Sequence, residues 1–220
     1  MSGDRLTPLQ WRILRALASL DPAWTLSGGA ALAGFHLKHR PTRDLDLFWR
    51  GRKDLGSIPR TVETVLRAEE LAVHVLQTAP TFYRLSVAGD AETCVVDLVA
   101  EPAEALEPPM TFPVAAVVLA VDTPHEILVT KLCTLLSRAE IRDLVDVQAL
   151  LAAGGDLDRA CTDAPRKDTG FSALTLSWVL NTTDLRAMAK ATGLGLEETA
   201  ALERFRSSLI ERLLAVASPE

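Results

Sequence analysis

Asp44 and Asp46 are separated by one residue in the segment DLDLFW, which alternates polar and apolar side chains. Because a strand has a side-chain period of two, both carboxylates point to one face and Leu45 and Leu47 to the other. Two carboxylates this close repel each other unless a cation lies between them, and Mg²⁺ carrying substrate phosphates is a usual solution. The spacing predicts a metal-binding pair, with a solvated strand edge as the alternative.

Asp97 lies in the segment CVVDLV, an apolar run typical of a buried strand. A lone buried carboxylate is costly unless it is paired or binds a metal ion. Beside the strand of Asp44 and Asp46, it would bring together three carboxylates, as two-metal phosphoryl transfer requires, and one could take the proton of an attacking hydroxyl. Asp97 is therefore a candidate third ligand, with a bond to backbone or to an arginine as the alternative.

Ser27, Gly28 and Gly29 form a turn between a short strand and a helix. Glycine lets the backbone approach a ligand closely, and a helix N-terminus offers unpaired N–H groups to a phosphate. By itself such a turn is also an ordinary tight connection. Followed by the Asp-x-Asp strand in the same unit, it predicts a cradle for a nucleoside triphosphate.

The stretch TLSGGAALAGFHLKHRPTRDLDLF resembles the glycine-pair and Asp-x-Asp signature of the polymerase-β-type nucleotidyltransferases, especially the form seen in AbiEii/AbiGii-type toxins. A second stretch, TPHEILVTKLCTLLSRAEIRDLVDVQALL, is similar to that family's downstream helical motif, which has a Lys, an Arg and then Arg/Lys-Asp-x-x-Asp. The resemblance covers residues 24–50 and 124–151, and residues 93–99 supply the third acid.

This resemblance implies an α/β (α+β) fold with a polymerase-β-like mixed sheet, and Mg²⁺-dependent transfer of NMP from an NTP at a two-metal site. It implies an acceptor such as tRNA, another RNA or a protein hydroxyl, and a cognate antitoxin that restrains a toxin. The residues implied in catalysis, the first three also as metal ligands, are Asp44, Asp46, Asp97 and Lys131. The residues implied in nucleotide binding are Ser27, Gly28, Gly29, Lys131, Arg138, Asp143 and Asp146.

The second stretch also has a physical interpretation. Lys131 and Arg138 are seven residues apart and so lie on nearly one helix face, from which they could neutralise triphosphate charge. The alternatives are a solvated cationic stripe, or pairing of Arg138 and Arg142 with neighbouring acids, for example a surface pair of Arg142 with Asp146. Asp143 and Asp146 can share a face, where one could hold Lys131 in place or assist proton removal.

Hydrophobic periodicity and turn residues predict a core at 1–121 followed by a helical domain at 122–220 that contributes to the active site. Strands are expected at 24–27, 44–49, 73–76, 82–87, 93–99 and 114–121. Helices are expected from Pro8 and at 30–38, 59–71, 125–138, 140–152, 172–190 and 196–215. Loops are expected at 101–113, 154–155 and 162–170.

The chain has 220 residues, of which 48% are hydrophobic and 24% charged, and a formal net charge of −6. This composition excludes a disordered or collagen-like protein, and the acidity disfavours non-specific binding to nucleic acid or anionic membranes. The three cysteines are far apart and form no C-x-x-C pair, which disfavours a disulfide framework and a zinc site. Without a signal peptide or a sufficiently long apolar run, we expect a cytoplasmic protein with no membrane partner.

Two other functions fit the same residues. One is nucleotidyl transfer to a small molecule such as an antibiotic. The other is a nucleotide-binding or protein-interaction module that has kept the fold and lost catalysis, because a fold does not fix a function. Intact acidic residues at 44, 46 and 97 count against the second alternative.

Overall fold

A mixed β-sheet forms the centre of the N-terminal part of the chain. The computed structural model describes residues 5–218, which divide into one unit ending at Thr123 and another beginning at Pro124. Its strands, among the described residues, are β1 (Thr25–Ser27), β2 (Asp44–Arg50), β3 (Ala72–Ala79), β4 (Phe82–Gly89), β5 (Glu92–Glu101), β6 (Met110–Val114) and β7 (Val117–Val121). Their order in the sheet is β3-β4-β5-β2-β1-β7-β6.

The sheet is mixed because two of its strand pairs are parallel. These are β2 with β5 and β1 with β7. The remaining neighbours are antiparallel, including the hairpins β3–β4 and β4–β5. This arrangement confirms the α+β fold class, and it places the strands of the three candidate acids side by side.

Helices cover the apolar face of this sheet. They are α1 (Pro8–Leu17), α2 (Gly28–Ala31), which continues as a π-helical segment (Leu32–His36), and α3 (Ile58–Ala68). Thr7 begins α1, because its hydroxyl accepts a hydrogen bond from the backbone N–H of Gln10. Along β2, the apolar Leu45, Leu47 and Trp49 are at most 1% exposed, so the opposite face of the strand carries its polar residues.

The helix after β1 begins earlier than expected. It starts at Gly28 rather than at Ala30, and its second half is π-helical. Lys38, at the end of this segment, has a φ of +53°. The glycine pair therefore forms the first turn of the helix as well as the connection to it.

The hairpin of β6 and β7 corrects two expectations. Residues 110–113 are strand rather than loop, and the apolar run 114–121 is broken by a turn at which Ala115 has a φ of +52°. Pro113 is tolerated because β6 is an edge strand, where a missing N–H removes no interior ladder bond. Since the turn has no Gly, Asn or Asp, nothing in its sequence marks it.

The C-terminal unit is helical. Its described helices are α4 (Pro124–Arg138), α5 (Ile141–Ala152), α6 (Leu157–Asp163), a 3₁₀ turn (Ala164–Arg166), α7 (Ala173–Thr182), α8 (Leu185–Thr192) and α9 (Leu196–Ala217). None of the helices within residues 5–218 has the length and apolar character needed to cross a membrane.

Two helical expectations in this unit were wrong. The segment 172–190 is divided at Thr183, because the Asp184 side chain accepts from the N–H of Ala187 and begins α8 as a new helix. Residues 162–166, expected in a loop, belong to α6 and its 3₁₀ extension, and α6 is begun by Asp156 in the same manner.

Candidate active site

The candidate acids lie in one row that crosses four neighbouring strands. Arg84 on β4 is directly opposite Asp97 on β5, and Asp97 is directly opposite Asp46 on β2. Asp46 in turn is opposite Ser27 on β1. Directly opposed residues of a sheet point to the same face. We call these four residues, Arg84, Asp97, Asp46 and Ser27, the polar row.

Asp44 and Asp46 share the polar face of β2, as the sequence spacing predicts. Both are half-buried, whereas Leu45 between them is fully buried. The Thr42 hydroxyl donates to Asp44 Oδ1 at 2.6 Å, which orients that carboxylate. The strand therefore presents two carboxylates, held at a fixed spacing, on one surface.

The glycine turn lies directly against Asp46. Gly28 has a φ of +62°, and a Cβ added there would overlap the Asp46 carboxylate. The neighbouring Ser27 hydroxyl is 1% exposed, and within the described part of the chain it has no hydrogen-bond partner. Because buried hydroxyls normally have a partner, Ser27 is left with a donor and acceptor available to a ligand beside the acidic pair.

Asp97 is buried and engaged by an arginine. Arg84 Nε donates to Asp97 Oδ1 at 2.7 Å, and Arg84 Nη2 donates to Oδ2 at 2.6 Å. The hydrogen bond to Asp97 raises the pKa of Arg84, and the charges of Asp44 and Asp46 act in the same direction. The structure thus shows Asp97 bound to an arginine, which was one alternative to metal binding. Sequence reasoning did not identify Arg84 as that arginine.

A second aspartate–arginine pair lies at the other end of the polar row. Asp122, just after β7, is 1% exposed, and its backbone N–H donates to the carbonyl of Leu26. Its carboxylate pairs with Arg50, whose guanidinium lies 5.0 Å from the centre of the Phe48 ring. The sequence analysis used Asp122 only as the first residue of the helical domain, although an acid directly after a buried strand is a signal that could have identified it.

His36 fixes the backbone beside this second pair. Its Nε2–H donates to the carbonyl of Asp122 at 2.8 Å, and its ring packs edge-on against Phe112. Burial lowers the pKa of His36, although the bond to Asp122 and the charge of that residue oppose the shift. His36 therefore packs against Phe112 and orders the backbone at Asp122.

The candidate residues of the helical unit form a separate charged cluster. Lys131 Nζ on α4 donates to Asp143 Oδ1 at 2.6 Å and lies 2.9 Å from Asp146 Oδ2, both on α5. Both aspartates are fully buried, and Arg138 Nε donates to Asp143 Oδ2 at 3.2 Å. We call these four residues, Lys131, Arg138, Asp143 and Asp146, the α4–α5 cluster.

The α4–α5 cluster keeps its lysine charged. Burial alone would lower the pKa of Lys131, but the charges of Asp146 and Asp143 and their hydrogen bonds raise it overall. The solvated-stripe alternative is wrong for Lys131, which is buried. The alternative that Arg138 and Arg142 pair with neighbouring acids is confirmed, because Arg138 pairs with Asp143 and Arg142 donates to Glu140 at 2.7 Å.

The cysteines and the possible metal ligands bear on two other kinds of site, a thiolate nucleophile and a preformed metal centre. All three cysteines are free thiols. Burial raises the pKa of Cys94 to about 12 and that of Cys161 to about 11, so neither is a thiolate nucleophile near neutral pH. Within residues 5–218, no group of three or more His, Cys, Asp or Glu side chains is already arranged to hold a metal ion.

Comparison with known proteins gives one family match and several similar folds. Residues 12–213 match the family described as nucleotidyl transferase AbiEii toxin of type IV toxin–antitoxin (TA) systems. No curated protein matches the chain. Among solved structures, JHP933 from Helicobacter pylori is 18% identical with a TM-score of 0.54, covering 97% of this chain and 95% of that one. A candidate nucleotidyltransferase from H. pylori is 19% identical with a TM-score of 0.53, covering 97% and 100%. At this identity the two structures support the fold alone.

Proposed function

The chain belongs to the AbiEii family of nucleotidyl transferase toxins, and from this premise we propose that it transfers NMP from an NTP to an acceptor hydroxyl with release of pyrophosphate. The observation that carries the proposal is the contact between the glycine turn and the acidic pair. Gly28 leaves no room for a side chain beside Asp46, and the buried Ser27 hydroxyl next to it lacks a hydrogen-bond partner among residues 5–218. A triphosphate held by this turn would have its phosphates beside the carboxylates.

Magnesium fits the donor set of the polar face. Asp44 and Asp46 offer hard oxygen ligands on one side of one strand, which is the ligand type that Mg²⁺ prefers. When bound, Mg²⁺ would neutralise charge on the phosphates and on the attacking and leaving oxygens. In this proposal Asp97, which is opposite Asp46 in the sheet, completes the ligand set of a two-metal site. We assign metal binding to these three residues, which we call the catalytic acids.

Two of the catalytic acids have surroundings that bear on their roles in this proposal. Thr42 holds Asp44 in place through its hydroxyl. Asp97 has the lowest exposure of the three, 4%, and a carboxylate shielded from water is suited to accept the proton of the attacking hydroxyl. This transfer requires that one Asp97 oxygen be released from Arg84.

Within the α4–α5 cluster, Lys131 and Arg138 carry the positive charges that we assign to the triphosphate. Lys131 is held by two buried carboxylates that raise its pKa, so it acts as a cation toward the triphosphate and not as a base. Asp143 and Asp146 position its ammonium group, and Arg138, 46% exposed at its side chain, adds a second cation. We therefore place Lys131 in transition-state stabilisation and the other three residues in nucleotide binding.

The biological role that we propose is that of a toxin restrained by a cognate antitoxin; in support, the family description names a toxin of a type IV toxin–antitoxin system. The acceptor in this proposal is an RNA end such as that of tRNA, or a protein hydroxyl. Either acceptor presents a hydroxyl that Asp97 can deprotonate. Transfer to a small molecule, and binding without turnover, are the outcomes that the experiment below separates from it.

The test is an incubation of the purified chain with each α-labelled NTP, Mg²⁺ and total RNA or cell protein, followed by separation of RNA, protein and small molecules. We expect label in one macromolecular fraction, and its loss when Asp44→Asn and Asp46→Asn are combined. Asp54→Asn is the matched control, because Asp54 is exposed and lies outside the polar row. Label that moves only into small molecules would contradict the proposed acceptor, and NTP binding without transfer would contradict catalysis.

A further inference from the structure

The partner of Asp97 is the feature that the proposed function leaves unexplained. Arg84 engages both oxygens of this carboxylate in a bidentate pair, with hydrogen bonds of 2.7 and 2.6 Å. A fork of this kind occupies one in-plane lone pair on each oxygen and leaves the other free. A cation that uses the occupied lone pairs of Asp97 must break the fork, and a cation on the free ones would lie beside the positive guanidinium, which repels it.

The location of Arg84 follows from the charge of the polar face. Residues directly opposite on neighbouring strands are close enough to interact side by side, and Arg84 is directly opposite Asp97 in the β4–β5 pairing. The negative charges of Asp44 and Asp46 also act on its guanidinium. A single cation thus offsets part of the repulsion among three carboxylates that share one face.

Arg84 is also the partner that can move. Its side chain is 37% exposed, whereas that of Asp97 is 6% exposed. The guanidinium lies 5.3 Å from the centre of the Phe82 ring, two residues away on the same strand, which gives it a favourable contact outside the carboxylate. A long, half-exposed side chain can leave a buried carboxylate without any change in the backbone.

We propose that Arg84 is the resident counter-ion of the catalytic acids, and that a divalent cation gains Asp97 as a ligand only by displacing the Arg84 guanidinium. This inference rests on the metal site of the proposed function and adds a residue that controls its loading. The exchange replaces one positive group by another, so the charge of the three carboxylates is partly offset both before and after it. Arg84 is thus a positioning residue that sets the cation concentration at which the site fills.

The chain contains a second bidentate arginine–carboxylate pair, which serves as a control for Arg84 and Asp97. Arg186 binds Glu203 with the same bidentate geometry, at 2.8 and 3.2 Å, on exposed surface of the helical unit. Arg186→Gln therefore removes an arginine–carboxylate fork without touching the polar row. It controls for the loss of one positive charge from the whole protein.

The experiment is a titration of the full chain with Mn²⁺ alone, with free Mn²⁺ measured by electron paramagnetic resonance, so that no catalytic readout is needed. We expect Arg84→Gln to lower the Mn²⁺ dissociation constant by about tenfold, because charge-assisted hydrogen bonds no longer have to be broken. Arg84→Lys keeps the charge but not the fork, and it should lower the constant by a smaller factor. Arg186→Gln should leave it unchanged.

The role of Asp97 is tested by adding Asp97→Asn to each Arg84 variant. The gain in Mn²⁺ affinity should disappear when Asp97→Asn is present, because the carboxylate for which Arg84 and the cation compete is gone. Equal or weaker Mn²⁺ binding by Arg84→Gln and Arg84→Lys, no binding by any variant, or a gain that persists with Asp97→Asn would each overturn the inference. Failure of nucleotide transfer with the expected Mn²⁺ series would instead contradict the proposed function and leave the exchange standing.

Discussion

The absence of a side chain at position 28 sets the distance between the glycine turn and the Asp46 carboxylate. A Cβ there would overlap that carboxylate, and the φ of +62° disfavours any L side chain. The chain offers a control for the second effect, since Gly193 has a φ of +73° and nothing within 4 Å of an added Cβ. The two glycines therefore separate backbone strain from loss of space.

We predict that Gly28→Ala abolishes nucleotide transfer and destabilises the protein more than Gly193→Ala does. The second variant should lose about 1–2 kcal/mol, the usual cost of a left-handed conformation for a residue with a Cβ. Urea unfolding and transfer of label would measure the two effects. A Gly28→Ala protein with wild-type transfer would contradict the placement of the phosphates beside Asp46.

At the scale of residues, the sequence could predict the acids but not their partners. The shared face of Asp44 and Asp46 follows from a local period of two, which any strand imposes. The pairing of Asp97 with Arg84 depends on the register of β4 and β5, and a register is decided by contacts across the whole sheet. Asp122 was missed for the same reason, since only the parallel pairing of β7 with β1 brings it to the polar row.

Between elements, the α4–α5 cluster is a structural link as well as a candidate part of the site. Lys131 joins the two helices through two carboxylates that are fully buried. Removing one partner from such a group leaves an uncompensated buried charge, which typically costs about 3–5 kcal/mol. The half-exposed Arg138 is a much weaker contributor, because exposed ion pairs give at most about 1 kcal/mol.

We predict that Lys131→Met lowers the free energy of unfolding by about 3 kcal/mol or more. Asp143→Asn should cost less, because Lys131 keeps Asp146, and Arg138→Gln should cost least. Urea denaturation followed by circular dichroism would rank the three variants. Equal losses for Lys131→Met and Arg138→Gln would show that the buried lysine has no special structural weight, and a loss of transfer in folded Lys131→Met would then be purely functional.

Element boundaries were predictable where a local signal marks them. Thr7 and Pro8 define the start of α1 in both the sequence and the structure. The β6–β7 turn has no such signal, because Ala115 adopts a positive φ that the hairpin imposes on it. The break between α7 and α8 was missed although Asp184 is a good N-cap, because the apolar pattern continues across it.

For the whole molecule, the family and fold class were predictable because two separate motifs occur in the right order. The structure adds that each motif builds its own charged cluster, one within the sheet unit and one within the helical unit. Sequence periodicity alone could not reveal that each cluster contains its own cation, Arg84 beside Asp97 and Lys131 beside Asp143.

One edge of the sheet is a strand with few features that prevent pairing with a second chain. β3 is an edge strand of eight residues that contains no proline and no Asp, Glu, Lys or Arg, and its Val75 and Leu76 are 43% and 56% exposed. A bulge between Val75 and Gln77 is its only irregularity in the pairing with β4. Natural proteins usually guard such edges with charge or proline, as Pro113 does on the opposite edge.

This edge should limit how far the protein can be concentrated and stored. We expect light scattering to rise with time in concentrated samples, and Leu76→Lys to suppress that rise, because a charge on an edge strand opposes pairing between chains. Leu174→Lys, at a leucine that is 58% exposed on a helix, should help much less. An equal reduction of light scattering by both substitutions would instead attribute the self-association to the apolar surface in general. Crystallisation would then call for a more charged surface and not for a charge on the β3 edge.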